Sequence, residues 1–220
     1  MVGKRRYDEG CAVAHSLDLI GERWALLIVR ELLLGPKRFT DLRAGLPGAS
    51  ADVLSQRLRE MTESGLVRRK RLPPPAGAEV YELTEWGADL EPVVTLLGRW
   101  GSRSASLDPA ADSSDDSLVL SLRALFNPEA AQGFSATIGL SLNVNRFIVE
   151  IADGQLHVAS GEARNPTATL DTNRPTLAAL LYGGLALDDA VRDRQAVILG
   201  KTAVIARFLR LFPLPAPAVH

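Results

Sequence analysis

At Gly65 the spacing of apolar residues changes from helical to alternating, and this switch constrains the chain more than any other feature. On its N-terminal side, in ADVLSQRLREMTESG, Leu54, Leu58 and Met61 recur at helical spacing and form one inward stripe. Ser50 is placed to cap that helix and Gly65 to end it. On the other side, LVRRKRL and EVYELT are short runs containing β-branched and aromatic residues, separated by PPPAGA. They predict a hairpin with a long, proline-rich tip.

Upstream, CAVAHSLDLIGERWALLIVRELLLG carries apolar residues at Val13, Leu17, Ile20, Trp24, Leu27, Ile28, Leu32 and Leu33, with an interruption near Gly21. Two helices with a short break fit this spacing, and Gly35-Pro36 stops the second. RFTDLRAGL predicts another helix with Leu42 and Leu46 facing inward, and Pro47-Gly48-Ala49 makes a turn before Ser50. After the hairpin, Thr84 caps a last amphipathic helix, with Trp86, Leu90, Val93, Val94, Leu97 and Trp100 on its apolar side. Helix, short turn, helix and a two-stranded wing is the order of a winged helix-turn-helix. In that arrangement the second helix enters the DNA major groove and the wing touches the backbone.

A net charge of -1 over 220 residues does not advertise nucleic-acid binding. Residues 1–100 hold 15 Lys and Arg against 14 Asp and Glu, and the remainder hold 10 against 12, so neither half is strongly basic. Position must therefore carry the argument. Arg68, Arg69, Lys70 and Arg71 fall together in the first wing strand. About half a turn from the inward stripe lie Asp52, Gln56, Arg59 and Glu63, with Ser55 and Arg57 on the flanks. Gln and Arg forks match base edges, while Ser contacts phosphate or base. The expected partner is double-stranded DNA, met by Ser50, Asp52, Ser55, Gln56, Arg57 and Arg59 on the helix and by Arg68, Arg69, Lys70 and Arg71 on the wing.

The stretch from Cys11 to Lys70 resembles the HxlR-type winged-helix regulators, through its N-terminal Cys, the helix WALLIVREL, the motif GPKRF and the run LSQRL. The resemblance covers residues 11–101 and implies a dimer paired through terminal helices on a palindromic operator. It implicates Ser50, Ser55, Gln56, Arg57 and the basic wing. Where the family usually has Pro and often Lys after the capping Ser, this chain has Ala51-Asp52. The first helix and the helix 85–100 both carry more large apolar residues than a small three-helix core needs, which points to the same pairing surface.

The lone Cys11 excludes an internal disulfide framework. It sits where some family members carry a redox-sensing cysteine, with His15 one turn later to favour the thiolate. No apolar run reaches the length of a membrane span and no secretory signal opens the chain, so a cytoplasmic protein is expected. Neither a metal-ligand spacing, a phosphate-binding glycine loop nor a catalytic constellation is present, so no cofactor and no enzymatic activity are expected.

GSRSASLDPAADSSDDS, ending at Ser117, is almost free of large apolar residues. It separates a first domain, 1–101, through a linker, 102–117, from a second, 118–220. In the second, Ile138, Leu140 and Leu142, then Phe147, Val149 and Ile151, then Leu156 and Val158 alternate as strands, with Asp153-Gly154 as a tight hairpin. ATLDT, QAVILG and the helices TLAALLYGG, LALDDAVRD and AVIARFLRLF complete an α+β domain with an antiparallel sheet. From GEARNPTATLDTNRPTLAALLYGG to ILGKTAVIARFLRLF this half resembles the sterol carrier protein family, which implies an apolar tunnel. Phe134, Ile138, Leu180, Leu181, Phe208 and Leu211 are its candidate lining. The whole reads as a dimeric transcriptional repressor modulated by a hydrophobic small molecule. An apolar-ligand carrier whose helical half only dimerises, and a redox sensor acting through Cys11, stay open.

Overall fold

Burial follows the predicted stripe of Leu54, Leu58 and Met61, whereas Val13, Leu17, Trp86, Val93, Leu97 and Trp100 are exposed. In the computed structural model, which describes residues 7–74, 77–107 and 113–218, contacts divide the chain into two units that meet between Val94 and Thr95. The first begins with α1 (Ala12–Ile20) and α2 (Ala25–Leu32). The break between them is completed by Trp24, whose φ of 78° is left-handed. Its indole lies over Gly48, where a Cβ would stand 2.9 Å from the ring. Gly48 thus lets the α1–α2 turn pack on the turn between α3 (Phe39–Gly45) and α4 (Ala51–Glu63). Leu54, Leu58 and Met61 of α4 join Ile28, Val29, Leu42 and Leu46 in one buried cluster.

Strands β1 (Val67–Arg71) and β2 (Glu79–Leu83) pair antiparallel as the wing. Of the expected tip, Pro75 and Ala76 lie outside the described residues. Lys37 adds a bridge to this hairpin, its N–H donating to the Tyr81 carbonyl at 2.9 Å and its carbonyl accepting from Tyr81 at 2.8 Å. The helix expected over 85–100 is two: α5 (Glu85–Ala88) and α6 (Glu91–Gly101). Pro92 lacks the N–H that would have continued α5, so the ladder restarts after Leu90. Thr84 caps α5 by accepting from the Gly87 N–H at 3.0 Å, and its hydroxyl donates to the Gly65 carbonyl at 2.6 Å.

The second unit takes in α6 from Thr95 onward and continues with α7 (Asp115–Leu125), capped by Ser114. This helix starts inside the stretch read as linker, of which residues 108–112 lie outside the description. Its Leu118, Val119, Leu120, Leu122 and Leu125 are buried, and the sequence reading passed over them. Five strands follow in the order β5-β4-β3-β6-β7. They are β3 (Ala136–Leu142), β4 (Asn145–Ala152), β5 (Gln155–Ser160), β6 (Ala168–Thr172) and β7 (Val197–Gly200). Asp153 and Gly154, both at positive φ, turn β4 into β5. The sheet is antiparallel except that β3 and β6 run parallel. Helices α8 (Arg174–Tyr182), α9 (Leu187–Arg192) and α10 (Thr202–Phe208), with a 3-10 turn at Leu209–Leu211, complete it.

Phe212 is buried against Phe208 and Phe126. Beyond it the chain returns to the start of its unit. The Ala218 N–H donates to the Arg103 carbonyl at 2.8 Å, and the Arg103 Nε donates to the Ala216 carbonyl at 3.0 Å.

A Cβ added at Gly87 would stand 2.0 Å from the Leu66 carbonyl oxygen, a backbone atom that cannot swing aside. Gly87→Ala is expected to lose about 1–3 kcal/mol of stability in urea unfolding, as overpacking does. Gly98→Ala, in mid-α6 with its nearest neighbour at 3.9 Å, is expected to gain about 0.5–1 kcal/mol.

Candidate nucleic-acid interface

With its apolar stripe buried, α4 turns Asp52, Ser55, Gln56 and Arg59 to solvent on one face. Ser50 is spent on the helix itself, its hydroxyl accepting from the Val53 N–H at 3.3 Å. Along the exposed face, Arg59 donates to the Gln56 Oε1 at 2.7 Å and the Gln56 Nε2 donates to Glu60 at 2.8 Å. The amide of Gln56 is thereby oriented by its two neighbours.

Arg57 departs from the expected arrangement. Its side chain is 14% exposed and forms ion pairs with Glu60, one turn on, and with Glu22 from the α1–α2 turn at 3.4 Å. The guanidinium braces the fold beside α4 and is not offered on the exposed face. Glu22 lies 35 residues away in sequence, so no local pattern announced it.

In the wing, alternation splits the four cations. Arg68 and Lys70 lie on one face and clamp Glu82 from β2 at 2.7 and 3.0 Å. Burial pushes the Glu82 carboxyl up, but the hydrogen bonds and charges of Lys70 and Arg68 together outweigh it and hold the group below its ordinary 4.5. On the other face Arg69 stacks over the Tyr81 ring at 5.3 Å. Among the described residues no carboxylate pairs with it. Arg71 donates to the Gly77 carbonyl near the tip at 3.3 Å. The sequence reading counted these cations and missed Glu82 and Tyr81, although the hairpin register sets Glu82 opposite Arg68 and Tyr81 opposite Arg69.

Cys11 is exposed at the N-cap of α1. The backbone N–H groups of Ala14 and then Val13, at the start of α1, hold its thiol below the ordinary value of 9.0. The bias toward thiolate thus comes from the helix N-terminus, where the sequence had suggested His15.

Six residues were expected to line an apolar tunnel in the second unit, and they differ in burial. Ile138, Phe208 and Leu211 are sealed in the core, Phe134 and Leu180 are nearly so, and Leu181 is half-buried. Phe134 borders an open cleft of about 650 Å³, which is otherwise lined by Pro128, Glu129, Gln132, Gly133, Ser135, Asp153, Gly154 and Gln155. Among the described residues no helix is long and apolar enough to cross a membrane.

Residues 19–108 match the family described as HxlR-like helix-turn-helix. The HTH-type transcriptional regulator YdeP of Bacillus subtilis is 37% identical over 98 residues, 43% of this chain and 74% of that protein. Rv3095 of Mycobacterium tuberculosis, of the same type, is 42% identical over 93 residues, 42% of this chain and 58% of its own length. A solved structure of the transcriptional regulator YodB from B. subtilis in its reduced form is 32% identical, spans 44% of this chain and 97% of that one, and superposes with a TM-score of 0.39. Residues 105–219 match the family described as alkyl sulfatase C-terminal, in place of the sterol carrier family expected from the sequence. The chain thus belongs to the HxlR-like helix-turn-helix transcriptional regulators, and carries behind that domain a second one of the alkyl sulfatase C-terminal family.

Proposed function

We propose that this regulator is a repressor that binds a palindromic operator as a dimer, and that an amphipathic small molecule taken up by its C-terminal unit alters that binding. The observation that carries the reading is the polar face of α4, rotated outward by burial of its own stripe and flanked by a wing on which Arg69 has no carboxylate partner among the described residues. A carrier whose helical half only dimerised would need neither.

Dimerisation is supported by apolar side chains left uncovered in the single chain. Val13 and Leu17 of α1 are exposed, as are Val93, Leu96, Leu97 and Trp100 of α6, Trp100 to 72%. Pairing across a twofold axis covers such surface and sets two recognition helices about 34 Å apart, one DNA turn. Sedimentation equilibrium at micromolar concentration is expected to give twice the 23.7 kDa chain mass. A single-chain mass would remove the twofold reading.

Base reading is assigned to Asp52, Ser55, Gln56 and Arg59, phosphate contact to Arg69 and Arg71, and bracing to Arg57, Arg68 and Lys70. Arg69→Ala is therefore expected to weaken all duplexes alike and to flatten the salt dependence by about one phosphate contact. Lys70→Ala should do less, because Glu82 already neutralises part of its charge. Arg57→Ala should lower thermal stability while leaving base preference in place. Anisotropy titrations over a salt series distinguish the three, and a wild-type salt slope for Arg69→Ala would refute the wing assignment. Because Glu82 is held low in the fold, its contribution to wing stability is complete above pH 4.5 and is lost as pH falls through its lowered folded value.

For the effector, the open cleft beside Phe134 offers an apolar wall with Glu129, Gln132, Asp153 and Gln155 around it. The molecule must bind the DNA-free and DNA-bound states with different affinity, and linkage makes the effect reciprocal. Titration of amphipathic ligands into the full chain with and without operator tests this; equal affinity in both states would discard the switch. A second reading is favoured by one observation, the exposed, thiolate-biased Cys11 at the start of α1. If oxidants act through it, operator affinity of the wild type changes on oxidation and that of Cys11→Ser does not.

A further inference from the structure

Asp52 is an acidic group on the face assigned to an acidic polymer, and the structure gives it no internal work. The N-cap bond to the Val53 N–H is made by Ser50, and among the described residues no hydrogen bond or ion pair engages the Asp52 carboxylate. It is exposed in the first turn of α4, whose partly positive N-terminus favours a negative charge there. Near phosphates such a charge is unfavourable, so its use must lie with a base that offers it a hydrogen.

The major-groove edges narrow the choice. Guanine shows two acceptors, thymine an acceptor and a methyl group, and adenine an acceptor beside its amino group. Cytosine alone shows an amino donor with no neighbouring acceptor on its own edge to repel a carboxylate. At the other end of the face Arg59 is a donor, matched to the guanine O6 and N7 pair. One Arg59 nitrogen, Nη1, is held by Gln56, which is fixed in turn by Glu60. Nε and Nη2 have no partner among the described residues and keep their donors. Asp52 and Arg59, seven positions apart, are separated by about 10 Å along the helix axis, and DNA rises ~3.4 Å per base pair, so the two groups reach base pairs up to about three apart.

We infer that Asp52 and Arg59 give the half-site its polarity, Asp52 selecting cytosine at the base pair facing the start of α4 and Arg59 selecting guanine up to about three base pairs further along. This rests on α4 being the recognition helix, and the test separates the two. Selection from a randomised duplex library with the full chain, followed by anisotropy titrations on single-position variants at fixed salt, is expected to show both preferences in the wild type. Asp52→Ala should flatten the cytosine preference, leave guanine intact, and raise affinity for unrelated duplexes. Asp52→Asn keeps a carbonyl acceptor and should retain part of the preference. Arg59→Ala should flatten guanine alone. Sequence-selective binding with base preferences unchanged by Asp52→Ala overturns this inference and leaves the DNA reading standing. Absence of duplex binding by the wild type overturns both.

Discussion

Burial of Leu54, Leu58 and Met61 fixes the rotation of α4 about its own axis, and with it every group that this half of the chain can present to DNA. Three side chains of this size contribute roughly 1.5–3 kcal/mol each when fully buried. A turn of the helix that exposed them would cost about 5–9 kcal/mol, comparable to the whole stability of a small domain. The polar face is consequently as rigidly oriented as the core beneath it. Gly48 serves the same end, since its missing Cβ admits the Trp24 indole and locks the turn that leads into α4.

Carboxylates decide how much positive charge the interface shows. Glu82 takes two of the four wing cations and Glu22 with Glu60 takes Arg57. Exposed ion pairs are worth little by themselves, but Glu82 is largely buried and its loss would leave two cations crowded on one face of the hairpin. The arrangement gives shape to the wing and leaves Arg69, stacked on Tyr81, without a carboxylate partner among the described residues. This accounts for a DNA reader with a near-zero net charge.

The period switch at Gly65, the caps at Ser50 and Thr84 and the Asp153-Gly154 turn were legible in the sequence because each depends on residues within one turn of one another. The break of the last reading-domain helix at Pro92 was legible in principle, since the cause is a missing N–H on a named residue. What could not be read is what depends on pairing at a distance: Arg57 with Glu22, or the parallel pairing of β3 with β6. Helix α7 was missed for another reason. Its acidic, serine-rich first turn continues the polar composition before it, so the apolar residues from Leu118 on were not joined to a start signal.

The hydrogen bonds between Arg103 and the chain's last described residues bring the beginning and the end of the second unit side by side. A unit that is entered and left at one edge makes little geometric demand on whatever precedes it, which is the condition under which domains are grafted or inserted most readily. In this chain a unit of that kind, matched by the family described as alkyl sulfatase C-terminal, follows a helix-turn-helix domain.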